Sequence, residues 1–105
     1  MRKETFETGK IYFMGGYHDP QRTVPCVIKP VIYVGKDDSS SAKKLKQGFS
    51  RYIFEDLESW FERKGKGAAN PKNLHHVEGP PEMTLVMDID QLIKDLTHLR
   101  TKLQE

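Results

Sequence analysis

The sequence predicts a single α+β domain over residues 1–105: an antiparallel sheet of three to four strands, a short middle helix, and a C-terminal amphipathic helix packed on one sheet face. Three observations lead there. At 105 residues the chain is the size of one ordinary domain. Its first half carries β-branched and aromatic runs separated by turn residues. Its C-terminal stretch repeats apolar residues at helical intervals. Hydrophobic residues make up 36% and charged residues 30%, too apolar and too evenly patterned for a disordered chain.

The first strand is expected at 10–17, where Lys10-Ile11-Tyr12-Phe13-Met14 is rich in β-formers and Tyr17-His18-Asp19-Pro20 is a run of turn residues. The second spans Thr23 to Gly35. Pro25 and Pro30 lie inside it, and proline donates no ladder hydrogen bond, so this strand is expected at a sheet edge or broken near Pro30. Lys36-Asp37-Asp38-Ser39-Ser40-Ser41 reads as a solvated loop.

Between 41 and 64 two readings compete. Ala42, Leu45, Phe49, Tyr52, Ile53, Leu57, Trp60 and Phe61 recur at three- and four-residue intervals, as in one long helix. That helix would hold Gly48 in its interior at a cost of about 1 kcal/mol. A strand at 49–54 paired with Val31–Val34, then a short helix from near Asp56, is preferred, because Glu55-Asp56 places acids where the helix dipole favours them.

Lys64 to Pro81, with three Gly, three Pro and two Asn, reads as a surface connector without periodicity. Its length marks it as mobile or functional. Met83-Thr84-Leu85-Val86-Met87 reads as a buried strand. Asp88 or Asp90 then caps a helix whose apolar positions are Ile89, Leu92, Ile93, Leu96, Leu99 and Leu103. In so small a domain those side chains are expected to be buried against the sheet. The 3-4-3-4 spacing also suits a two-heptad coiled coil, so any leucine left uncovered is a route to a weak homodimer; otherwise the chain is expected to be a monomer.

The net charge of +2 is too small to argue for nucleic acid, but it is unevenly spread. Residues 1–53 carry ten Lys/Arg against five Asp/Glu, and residues 54–105 carry seven against ten, an asymmetry that can mark an interaction surface. The single cysteine, Cys26, forms no intramolecular disulfide, which favours a reducing compartment. The basic N-terminus leads into no apolar stretch of export-signal length. Val24–Val34 and Met83–Ile89 fall short of the roughly 20 residues needed to span a bilayer. A cytoplasmic protein without membrane contact is the simplest expectation.

Signals for chemistry are weak. Adjacent His75 and His76 point in different directions in an extended chain, and neither they nor His18 and Cys26 show paired ligand spacing, so no metal and no cofactor is expected. No local motif activates Cys26, which reads as a small core residue. Gly15-Gly16 lacks phosphate-loop spacing. No enzyme activity is expected.

Two charged stretches remain as binding candidates. Lys43, Lys44, Lys46 and Arg51, interleaved with Phe49 and Tyr52, combine phosphate attraction with aromatic stacking, as in sequence-tolerant binding of RNA or single-stranded DNA. Glu55, Glu58 and Glu62 lie near one face of the expected middle helix, as an acidic patch for a basic partner. On balance the residues fit a small bacterial cytoplasmic protein-interaction module of the immunity, inhibitor or adaptor type, with a nucleic-acid-binding module as the alternative. If Cys26 is a core residue, a thiol reagent should label it slowly in the native state and quickly in denaturant; fast native labelling by a thiolate of depressed pKa would reopen the enzyme reading.

Overall fold

The computed structural model describes residues 6–17, 25–80 and 84–104, with residues 17 and 25–27 described by backbone alone. His18, Met83 and the side chain of Cys26 therefore lie outside the described residues. The elements run β1 (Ile11–Tyr17), β2 (Pro25–Lys36), α1 (Ser40–Lys43), β3 (Ser50–Asp56), α2 (Leu57–Glu62), β4 (Leu74–Gly79), β5 (Val86–Met87) and α3 (Ile89–Leu103). The fold is α+β, with one curled antiparallel sheet of five strands in the order β4-β3-β2-β1-β5. That is one strand beyond the expected range.

β2 is neither an edge strand nor broken: it pairs with β1 on one side and β3 on the other. Backbone alternation explains how it tolerates Pro30. Tyr33 N donates to Lys10 O and Gly9 N donates to Tyr33 O, so residues 31 and 33 point their amides at β1 while Ile32 and Pro30 point toward β3. β3 starts to pair only at Val31 opposite Asp56, and the chain beyond Asp56 leaves the sheet as α2. Pro30 sits where no partner asks for a donor. Pro25 is the first residue of its strand and is tolerated for the same kind of reason.

Residues 41–64 form a strand and then a helix. Gly48 has φ +85°, a left-handed conformation that other residues resist, and it turns the chain between α1 and β3. Ser39 caps α1, its hydroxyl accepting from Ala42 N, inside what the sequence reads as plain loop. β4 is the larger departure, since the 64–81 segment contributes an edge strand paired along β3 from Ser50↔Gly79 to Glu55↔Leu74. Leu-His-His-Val-Glu-Gly has little intrinsic strand preference, so pairing with β3 overrides it.

Alternation divides the sheet into two faces. One carries Tyr12, Val31, Tyr33, Tyr52, Phe54 and Val86, with Phe6, Met14 and Val77 packed against them. The Phe6 ring lies 5.0–5.5 Å from the rings of Tyr12, Tyr33, Tyr52 and Phe54, edge-on to three of them. The other face buries Ile32, Met87 and Glu55.

α3 begins at Asp88, whose carboxylate accepts from Gln91 N at 2.9 Å, and it touches β1, β2 and β5. The expected packing of its whole apolar stripe on the sheet is not found. Only Leu92 is buried, at 7% exposure, while Leu96 is 42% exposed and Ile89, Ile93 and Leu103 are more open still. Leu92→Ala should therefore cost about 2–5 kcal/mol and Leu96→Ala under about 1 kcal/mol, read by urea unfolding of dilute protein. Equal losses at the two positions would overturn this placement of α3.

Candidate functional site

The basic stretch is divided by the fold. Lys43, Lys44 and Lys46 are exposed on and after α1, and Lys46 Nζ lies 6.0 Å from the centre of the Phe49 ring. Lys43 and Lys46, but not Lys44, border a shallow, open depression of about 350 Å³ whose lining also includes Lys36, Asp37 and Asp38. Arg51 is committed elsewhere. Its Nη1 donates to Asp37 Oδ2 at 3.1 Å and to Ser41 Oγ at 2.9 Å, while Nε and Nη2 reach Glu78 Oε1 at 3.0 and 2.9 Å.

Arg51 thus ties the α1 loop to β3 and β4, and Glu78 and Asp37 raise its pKa further. Asp37 stays anionic: the Ser39 amide and hydroxyl, then Arg51, hold its carboxyl below the ordinary range. Tyr52 is buried in the aromatic face, where burial and the neighbouring Tyr52 and Tyr12 rings also push the Tyr33 hydroxyl up. A nucleic acid would find Lys36, Lys43, Lys44 and Lys46 here beside the half-buried Phe49 ring, but neither a free Arg51 nor the Tyr52 ring to stack on.

The acidic residues do not share one surface either. Glu55 is in β3 rather than on the helix and is fully buried on the face that α2 lies against, while Glu58 and Glu62 are exposed on α2. Arg63 grips Glu55 with two parallel bonds, Nε to Oε2 at 2.8 Å and Nη2 to Oε1 at 2.5 Å. Ser59 Oγ donates to Oε2 at 2.6 Å. The remaining Arg63 nitrogen donates to the carbonyls of Lys66 and Gly67, and the guanidinium stacks 5.1 Å from the Trp60 ring. Arg63 and then Ser59 outweigh burial and hold the Glu55 carboxyl below its ordinary value. This is a sheet-to-helix clamp of the bidentate kind that arginine forms and lysine does not.

Next to Glu55, at the last residue of β3, Asp56 Oδ1 receives His75 Nε2 at 2.6 Å and Lys29 Nζ at 3.0 Å. Burial pushes this carboxyl up, but the bonds from His75 and Lys29 prevail and keep it below the ordinary range. The hydroxyl nearest in sequence, Ser59, donates to Glu55 rather than to this pair. His75 and His76 alternate across β4, as their adjacency implies. Among the described residues, no group of three or more His, Cys, Asp or Glu is arranged to hold a metal ion.

What remains is apolar. Ile89, Ile93, Leu96 and Leu103 stand at 47%, 55%, 42% and 78% exposure, three, four or seven residues apart on one side of α3. Phe61, Leu85, Ile11 and Ile28 are exposed elsewhere on the surface. The periodicity of α3 is legible in the sequence; that most of it is left uncovered is not, because among the described residues the strands packed most closely on the helix are β1, β2 and the short β5. Among the described residues, no helix is long and apolar enough to cross a membrane. No protein-family model, curated protein or solved structure matches the chain.

Removing the Glu55 partner tests the clamp. Arg63→Met strands a buried carboxylate and should lower the thermal midpoint by several degrees at pH 7. Because the folded-state pKa of Glu55 is depressed, the stability it contributes is present above its ordinary value of 4.5 and is lost as pH falls through the folded value. The gap between wild type and variant should therefore narrow in acid, and a gap independent of pH would count against the clamp.

Proposed function

We propose that this chain is a protein-interaction module of the immunity, inhibitor or adaptor type, and that its contact surface centres on the uncovered side of α3. The observation that carries this reading is the row Ile89, Ile93, Leu96 and Leu103, all at least 42% exposed on one side of a 15-residue helix. Single exposed apolar residues need no explanation, but an apolar row on one helix side is the form in which a helix is offered to a partner. Polar residues flank it, including the exposed Asp90, Lys94 and Thr97, so the row has the apolar core and polar rim of an interface.

A cytoplasmic setting belongs to the same proposal and rests on the lone cysteine, which suits a reducing compartment. The nucleic-acid alternative keeps the three exposed lysines, 43, 44 and 46, as its support. It is weakened by the engagement of Arg51 with Asp37 and Glu78 and by the carboxylates in the same depression.

Immobilised chain should capture a protein from lysate of its source organism. The variant Ile93→Ser/Leu96→Ser should fail to capture it, while Lys43→Glu/Lys44→Glu/Lys46→Glu should retain it. Salt-sensitive, micromolar binding of single-stranded RNA that the lysine variant loses and the α3 variant keeps would decide for the alternative.

A further inference from the structure

We infer that the partner of the α3 surface is a second copy of this chain, with the two helices packed antiparallel. This rests on the reading of α3 as an interaction surface and goes further by naming the occupant. The fold decides which heptad register of α3 remains available. The sequence pattern 89-92-96-99-103 loses its second position because Leu92 is buried within the domain, and Leu99 is only half-exposed. The row left outward is Ile89, Ile93, Leu96, Arg100 and Leu103, a 4-3-4-3 spacing that is again a heptad seam, now with a cation in it.

Arg100 selects the orientation. In a parallel pair, residues at the same seam position face each other, so Arg100 would meet its own copy in the least solvated part of the contact, and the Asp88, Asp90 and Asp95 groups would gather at the other end. In an antiparallel pair that sets Ile93 against Leu96 of the other copy, Ile89 faces Arg100, and Arg100 lies beside the exposed Asp90 of the partner. Twofold symmetry repeats this contact.

The helix as a whole has the same polarity. From Asp88 to Asp95 it carries three aspartates and one lysine, and from Leu96 to Gln104 it carries Arg100 and Lys102 with no acid. Head-to-tail pairing therefore places acidic half on basic half and opposes the two helix dipoles, where parallel pairing does neither. Leu103, the most exposed of the row, then reaches past Ile89 of the other copy toward the chain before β5, where Leu85 is also exposed. Contact confined to one helix from each copy is small for a protein interface, so the dimer should be weak and concentration-dependent.

Sedimentation equilibrium of the full chain across about 5–500 μM reads this directly. The weight-average mass should rise from the monomer's 12.1 kDa toward twice that value. Leu96→Glu should hold it at the monomer value with its circular dichroism unchanged. Asp90→Arg and Arg100→Glu should each weaken association at least about tenfold, while the double variant Asp90→Arg/Arg100→Glu restores it.

A wild-type chain that stays monomeric throughout overturns the inference, as does a dimer indifferent to Leu96→Glu. Failure of the double variant to recover overturns the antiparallel arrangement. These results are separable from the broader reading. A monomeric chain that still captures a protein through Ile93 and Leu96 keeps α3 as an interaction surface while excluding the second copy as its occupant.

Discussion

The rest of the fold depends on how a single sheet encloses a core without a second sheet above it. Phe6, from the segment before β1, fills the curl by placing its ring among those of Tyr12, Tyr33, Tyr52 and Phe54, which β1, β2 and β3 contribute. Edge-on aromatic packing adds a geometric preference to the apolar area buried, which helps to fix strand register as well as burial. The Tyr12 hydroxyl also accepts from Glu7 N at 2.8 Å, so the ring that Phe6 packs on anchors the backbone that delivers Phe6. The extra β2 residue between Tyr33 and Gly35, with Gly35 at φ +145°, accompanies the curl, as an inserted residue in one strand of a pair bends that strand.

Filling one face with aromatics leaves the other to be covered by short helices, and the two do so differently. α2 is six residues long and contributes no buried residue of its own. It is held by the Glu55–Arg63–Ser59 clamp, whose arginine also collects the carbonyls of Lys66 and Gly67. α3 is much longer and is held by Leu92 and the Asp88 cap. An ionic anchor suits a helix too short to bury an apolar stripe, whereas a longer helix secured at its first turns can offer the rest of its stripe to something else.

The same arithmetic reassigns the charged candidates. Arg51 and Glu55 sit in β3, between β2 and β4, where charge is costly unless paired, and each has found a geometric partner. The charges left at the surface, on Lys43, Lys44, Lys46, Glu58 and Glu62, lie on α1, the turn after it, and α2. They are solvated in the ordinary way, and this separation moves the functional argument from charge to the apolar side of α3.

Local patterning by itself gave the α+β class, strands at 10–17 and 49–54, a preference for strand-then-helix order after Gly48, and a C-terminal helix capped at Asp88 or Asp90. Each of these follows from the spacing and turn chemistry of near neighbours. Tertiary structure alone decided that β2 is central despite Pro30, because the missing amide points beyond the end of β3. It also made 74–79 a strand, since an open β3 edge recruits a segment of weak preference. The burial of Glu55 against Arg63, eight residues on, likewise depends on β3 turning directly into α2. Helical periodicity marks which side of α3 is apolar, but the length of sheet beside it decides how much of that side is covered, and β5 contributes only two residues.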